Sequence, residues 1–336
     1  MSCQPVFKVA LNRSLQDEAM STFVKLLQGL SPFKSVYSSG YPDQSGRTWL
    51  VTGVSVGGIG FETSRLLLQA GVSKLWIAGR SPDKLDNAIK ELRKEFANAD
   101  VSPLIVDFND LSSVKPGLQP LLSTATELHG VIHNAGMMAT ETDRTTKQGY
   151  DQQIGVNVIA PFLIQRFLDD LLIATAKNSP ANTVRVVWVS SELHLLAPSK
   201  IDFSELKPKP GSMIARYGHT KALNVLEAIL WGRKHRESGV LSVSLHPGLI
   251  RSDLGRDMGG LSKVFVGFIS KPSIYGGYTE MYAALSPDLT VQDHSGAYIV
   301  PFGSVGSARN DLVKIGSGDD GDKVWQALTD ATTAYM

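Results

Sequence analysis

A phenol and an ammonium stand four residues apart at Tyr217 and Lys221, inside a run from Ile214 to Arg236 whose apolar residues recur at helical spacing. Residues so spaced on a helix project from one face, so the pair would share one pocket. A phenol with an ordinary pKa of about 10 is a poor acid-base group at neutral pH, and a neighbouring ammonium favours its ionised form. Far upstream, Thr52 to Thr63 reads TGVSVGGIGFET, with Gly53, Gly57, Gly58 and Gly60 between an apolar run and a helical pattern that opens at Ile59. Glycine suits a turn whose backbone passes close to a pyrophosphate, and the helix N-terminus adds N–H groups and partial positive charge. Taking Gly57 as the second glycine of such a motif would put β-branched Ile59 where close helix approach needs no side chain. Aligning Gly58-Ile59-Gly60 instead confines a one-residue surplus to Val54–Gly57 and leaves Gly53, Ser55, Gly58, Ile59 and Gly60 as the cofactor-facing candidates. About 20 residues beyond such a turn a carboxylate would bind the ribose 2′-hydroxyl of NAD, but this chain reads Gly79-Arg80-Ser81. The Arg80 guanidinium suits a 2′-phosphate, with the Ser81 hydroxyl as a second donor, and favours NADP(H).

These residues need a frame, and the chain supplies one by alternation. Strands are expected at 48–52, 74–79, 101–106, 129–134, 184–190, 241–246 and 296–301, with helical patterns including Ile59–Ala70, Pro82–Ala97, Gly149–Ala174, Ile214–Arg236 and Ile274–Ala284. Strand-helix alternation predicts an α/β fold, a doubly wound parallel sheet of about seven strands with helices on both faces. Ligands of such sheets bind beyond the carboxyl ends of the strands, where strand order switches. Before the first strand, residues 1–46 form an extension in which Ser14 caps a helix with Ala19, Phe23, Leu26, Leu27 and Leu30 on one face. That face packs on the main domain or docks a membrane or partner. Residues 47–302 make the main domain, and 303–336 a tail with a short amphipathic helix.

The motifs together resemble the short-chain dehydrogenase/reductase family over roughly residues 47–302, and GIGFET is similar to its branch of retinol dehydrogenases, protochlorophyllide reductases and WW-domain oxidoreductases. The resemblance implies a Rossmann-type domain. It carries over Asp107 of VDF as the adenine-facing aspartate and HNAG, with Asn134, Ala135 and Gly136, in place of NNAG, His133 replacing the first Asn. It also carries over Asn157 of VNVIAPF, Ser191 of VWVSSELH, Tyr217 and Lys221 of YGHTK, and Pro247, Gly248 and Ile250 of HPGLIRSDL as a nicotinamide-contacting segment. By that resemblance Tyr217 is the general acid/base, Lys221 binds the ribose, Ser191 hydrogen-bonds the substrate oxygen and Asn157 holds a proton-relaying water. Hydride would pass between NADP(H) and a ketone, aldehyde or secondary alcohol. His194 and His219 read as local or substrate-facing, and His246 as a strand-end residue.

Substrate walls are expected after Ser191 and after Pro247-Gly248, where residues 251–273 combine glycines with Val264, Phe265, Val266, Phe268 and Ile269 as a lid or a packed helix would. The substrate class is therefore a fairly large apolar molecule, a lipid-like or specialised metabolite. The alternatives are a non-redox isomerase, dehydratase or cyclase on the same scaffold, or an NADP-sensing binding protein. Composition narrows the field: 336 residues with 43% apolar and 19% charged content can bury a large core, and a formal charge of +1 offers no footprint for nucleic acid. The lone cysteine, Cys3, excludes an intrachain disulfide and a thiolate cluster, and the seven His lack metal-ligand spacing, so no metal is expected. Absence of an export signal and of any run of about 18 apolar residues predicts a cytoplasmic protein without a transmembrane segment. Peripheral membrane contact and homo-oligomerisation stay open.

Overall fold

The computed structural model describes residues 40–139, 141, 143–198, 202–207, 212–251 and 270–336. Runs of apolar and β-branched residues form parallel strands β1 (Thr48–Thr52), β2 (Lys74–Gly79), β3 (Val101–Ile105), β4 (Gly130–His133), β5 (Arg185–Val189), β6 (Leu241–Leu245) and β7 (Tyr298–Val300). Their order is β3-β2-β1-β4-β5-β6-β7, so the sheet grows outward in opposite directions from the β1/β4 pair. That reversal opens a crevice at the carboxyl ends of β1 and β4. Pro103 sits in β3, an edge strand, where a missing backbone N–H disturbs no inner ladder.

Successive strand residues point to opposite faces, and both faces are covered. Trp49, Val51, Leu75, Ile77, Val187 and Val189 pack toward α1 (Ile59–Gln69), α2 (Pro82–Glu95) and α6 (Ser273–Leu285), which add Leu67, Leu85 and Met281. Their neighbours Leu50, Trp76, Ala78, Val186 and Trp188 pack toward α3 (Val114–Thr124), α4 (Ala160–Asn178) and α5 (Met213–Lys234), which add Leu118, Leu163 and Leu226. Ser212 starts α5 by accepting from the Ala215 N–H at 3.2 Å. Between α1 and α6, where Gly276 lies against Ile59 and Gly277 against Leu66, Glu280 accepts from the Thr63 hydroxyl at 2.6 Å. Burial pushes the Glu280 carboxyl up to about 8.

Two features add to the expected elements. An eighth strand, β8 (Ser304–Gly306), pairs antiparallel with β7, so the sheet has eight strands among the described residues where about seven were expected. The tail expected to carry one short helix holds two, α7 (Asn310–Ser317) and α8 (Asp319–Thr333), which bury Leu312 and Leu328 in the α5-side core. Three residues, Ser-Val-Gly, are too few to show a strand period. At the other end, Gln44 joins the domain, donating from its backbone N–H to the Ala70 carbonyl at 2.8 Å and accepting from the Trp49 indole at 3.3 Å. The expected helix at Ser14–Leu30 and most of the expected lid, 252–269, lie outside the described residues.

Candidate active site

The glycine loop runs from the end of β1 into α1. The Gly58 N–H donates to the Ser55 carbonyl at 2.9 Å, and Gly57 has φ 83°. Val56 is not among the positive-φ residues, so Ser55–Gly58 is a type II turn, and its third position demands glycine. The surplus residue is absorbed in that turn. Gly58 then caps α1 without any side-chain cap, so the first N–H groups of that helix suit an anionic phosphate. Gly60 is held to glycine by contact, because a Cβ there would lie 2.5 Å from the Asn134 side-chain nitrogen.

Asn134 and Ala135 bind this loop to β4. The Asn134 amide donates to the Thr52 carbonyl at 2.8 Å and to the Gly53 carbonyl at 3.3 Å, while the Ala135 N–H donates to the Thr52 hydroxyl at 3.0 Å. His133, the departure from NNAG, faces the core instead: its Nε2 pairs with Gln165 at 2.9 Å and its ring stacks on Trp188. Burial lowers its pKa to about 4.

At the other candidate cofactor positions, Arg80 is exposed just beyond β2, and Ser81 caps α2 by accepting from the Lys84 N–H at 3.4 Å. Asp107 accepts from the Asn109 N–H at 3.0 Å. Pro247, Gly248 and Ile250 follow β6, and Ile250 forms a parallel bridge with Lys271. The loop, β4 and Lys221 therefore meet in one region, with Arg80 and Asp107 at the ends of the neighbouring strands.

Tyr217 and Lys221 do share a face of α5, both buried. Lys221 Nζ donates to the Val189 carbonyl at 2.8 Å and to Asn224 Oδ1 at 3.0 Å, and lies 5.6 Å from the Tyr217 ring centroid. A Cβ on Gly136 would lie 3.3 Å from the same nitrogen, so HNAG ends against the ammonium. Burial lowers the Lys221 pKa to about 8 against a raising influence from Glu227. Burial also raises the Tyr217 phenol above its ordinary 10. That direction reverses the lowering expected from a neighbouring ammonium, because desolvation of a wholly enclosed phenolate outweighs a cation at this distance.

Ser191 follows β5, its Oγ accepting from the Leu193 N–H at 3.2 Å, and the adjacent Ser190 hydroxyl donates to the Lys221 carbonyl at 2.6 Å. Asn157 occupies a π-helical turn, Gly155–Ile159, immediately before α4. Its side chain grips Met137, accepting from the N–H at 2.8 Å and donating to the carbonyl at 2.9 Å. Pro161, four residues on, has no N–H to close a helical bond onto the Asn157 carbonyl. That carbonyl accepts the Asn224 amide at 2.7 Å.

The three histidines each have neighbours within the fold. His194 Nδ1 lies 2.8 Å from the Ser191 carbonyl and 3.2 Å from the Tyr298 hydroxyl, His219 stacks on Phe203, and His246 stacks on Tyr298. Burial drives the His246 pKa down to about 3.

Against known proteins, the short chain dehydrogenase family model matches residues 47–197. Short-chain dehydrogenase/reductase pkfC of Emericella nidulans is 35% identical over 300 residues, covering 88% of this chain and 95% of the relative. The chain belongs to the short-chain dehydrogenase/reductase family. A second member, sthC of Phaeosphaeria nodorum, is 39% identical over 270 residues, covering 76% of this chain and 84% of that one. Among solved structures, NADPH-bound carbonyl reductase from chicken fatty liver superposes with a TM-score of 0.60 at 21% identity, covering 80% of this chain and all (100%) of that one. A Mycobacterium paratuberculosis protein reaches 0.66 at 22% identity, covering 90% and 98%. These likenesses establish the fold, an eight-stranded, mostly parallel Rossmann-like sheet with flanking helices.

In this short-chain dehydrogenase/reductase, sequence reasoning missed Thr52, Met137, Asn224 and Glu227, each hydrogen-bonded to a candidate site residue or to Asn224. Asn224 had a usable signal. It stands seven residues after Tyr217 and three after Lys221, which is the same helical stripe.

Proposed function

We propose that this chain is an NADP(H)-dependent oxidoreductase that passes hydride between nicotinamide and the carbonyl or carbinol carbon of a fairly large apolar substrate. The observation that carries the reading is the meeting of buried Tyr217, Lys221 and Ser190 with the more open Gly136 and Ser191 at the ends of β4 and β5. Family members use NAD or NADP, and the uncapped α1 N-terminus with the tight glycine loop fits a dinucleotide pyrophosphate. Arg80, exposed after β2 with no carboxylate at that strand end, supports the phosphorylated form. Within the family, the segment Gly58–Thr63 supports the retinol-dehydrogenase-like branch.

When bound, the nicotinamide supplies or takes the hydride. The chain's own residues do the rest. Tyr217, held protonated by burial, gives its proton to the carbonyl oxygen in the reductive direction. Lys221 holds the ribose side of the dinucleotide and the Ser191 hydroxyl donates to the substrate oxygen as charge develops there. Leu196 and Leu249, exposed on the segments that follow Ser191 and Gly248, support an apolar ligand.

The direct test mixes purified protein with NADPH and a panel of apolar ketones and follows nicotinamide absorbance. Consumption of NADPH with one of them is the expected result. Failure of the protein to bind either dinucleotide in calorimetry would overturn the reading.

A further inference from the structure

Asn224 stands one helical turn beyond Lys221 on α5, and its amide has partners on both sides. Oδ1 accepts from the Lys221 ammonium at 3.0 Å, while Nδ2 donates to the Asn157 carbonyl at 2.7 Å and to Glu227 Oε2 at 2.7 Å. A flipped amide would set its oxygen against the Asn157 carbonyl and its NH2 against the ammonium, so only one orientation is tenable. Asn157, Asn224 and Glu227 are all at most 3% exposed.

Glu227 is the unusual member. It is fully enclosed, burial raises its pKa well above the carboxylate range, and its Oε1 has no hydrogen-bond partner among the described residues. A carboxyl kept in dry surroundings with one oxygen unsatisfied destabilises the fold, and leucine would fill the place with less penalty. What the carboxyl does accomplish is to orient Asn224. Two of the three ammonium N–H directions of Lys221 then go to fixed acceptors, the Val189 carbonyl and Asn224 Oδ1. That leaves the third N–H direction, and Gly136 and the Tyr217 ring lie near the same nitrogen.

We propose that Asn224, oriented by Glu227, is a positioning residue that aims the Lys221 ammonium at Tyr217 and the bound dinucleotide. The proposal rests on the oxidoreductase reading above and adds to it two residues outside the family's motif.

The full-length chain tests it through Glu227→Leu and Glu227→Gln, with NADPH affinity by calorimetry, turnover of a responsive ketone and the melting temperature as readouts. Glu227→Leu should melt no lower than the parent yet lose about tenfold or more in NADPH affinity and in kcat, the weight of a hydrogen bond to a charged group. Glu227→Gln, which keeps an acceptor for Asn224, should recover most of that loss. A second pair guards against misfolding. Asn224→Ala leaves room for a water among three polar partners, whereas near-isosteric Asn224→Leu does not. Positioning predicts that Leu is the worse variant for NADPH binding, and a merely structural role predicts that Ala is. Glu227→Leu with parental affinity and kcat, or Asn224→Ala worse than Asn224→Leu, overturns the proposal. A parent protein that binds no dinucleotide overturns instead the oxidoreductase reading on which it stands.

Discussion

Tyr217 illustrates how burial redirects a side chain's chemistry. The enclosed phenol is held above its ordinary pKa, so the protein alone presents an acid; the Lys221 ammonium does not outweigh burial, and a positive nicotinamide would add to it in favouring phenolate. Tyr217→Phe should therefore cut ketone reduction by roughly 10²- to 10⁴-fold while calorimetry finds NADPH affinity within a few-fold of the parent. A large loss of affinity would mean that the ring positions the cofactor more than it moves a proton. Arg80 is the residue proposed to act at the other end of the cofactor. Arg80→Asp should weaken NADPH relative to NADH by about 10- to 100-fold in kcat/KM, the weight of one charge-assisted contact to the 2′-phosphate. Unchanged discrimination would remove Arg80 from the phosphate site. Spacing put Tyr217 and Lys221 on one helix face and Arg80 at a strand end, and the family resemblance supplied their expected roles. The pKa direction of Tyr217 was not legible in the sequence, because it depends on how completely the phenol is enclosed.

The elements matter through the tolerances they leave one another. Gly60 lies under the Asn134 amide, which ties β1 to β4, and Gly60→Ala would push a methyl into that nitrogen. Overpacking there should lower stability by about 1–3 kcal/mol and weaken dinucleotide binding with it, measured by melting and calorimetry on the same sample. The glycine spacing made the close approach legible, but not its partner, which comes from a strand more than 70 residues away. The π-helical turn at Asn157 was likewise hidden inside a continuous helical pattern, although Pro161 marks where an N–H is missing.

The α1/α6 contact carries a different signature. Glu280 has its folded pKa raised from 4.5 to about 8, so the folded chain keeps a proton that the unfolded chain releases. Its contribution is fully present below pH 4.5 and is lost as pH rises through about 8. Glu280→Gln, which still accepts from Thr63, should lose less melting temperature than the parent between about pH 5 and pH 8. Parallel curves for the two proteins would contradict the assignment.

For the molecule as a whole, alternation of apolar runs and helical patterns announced a doubly wound sheet and placed seven strands nearly residue for residue. It underestimated the carboxyl-terminal region because α7 and α8 bury only a narrow apolar stripe, and β8 almost nothing. Those helices nonetheless complete the α5 side of the core, on which Tyr217, Lys221 and Asn224 depend. Leu328, fully buried on α8, tests that dependence. Leu328→Ala should cost about 2–5 kcal/mol in denaturant unfolding, with activity per folded molecule preserved. Loss of less than about 1 kcal/mol would make the region an accessory after all.

The turn at Ser55–Gly58 has one further consequence. Nothing lies within 4 Å of where a Gly57 side chain would begin, so the loop bulges outward while Gly53 and Gly60 stay clamped beside β4. Chain length at this point is decoupled from the spacing of the phosphate-facing glycines. A protein engineer could treat the bulge as a splice point: removing exposed Val56 or Gly57 would bring the loop to the length of the family's motif and leave buried Val54 in the chain.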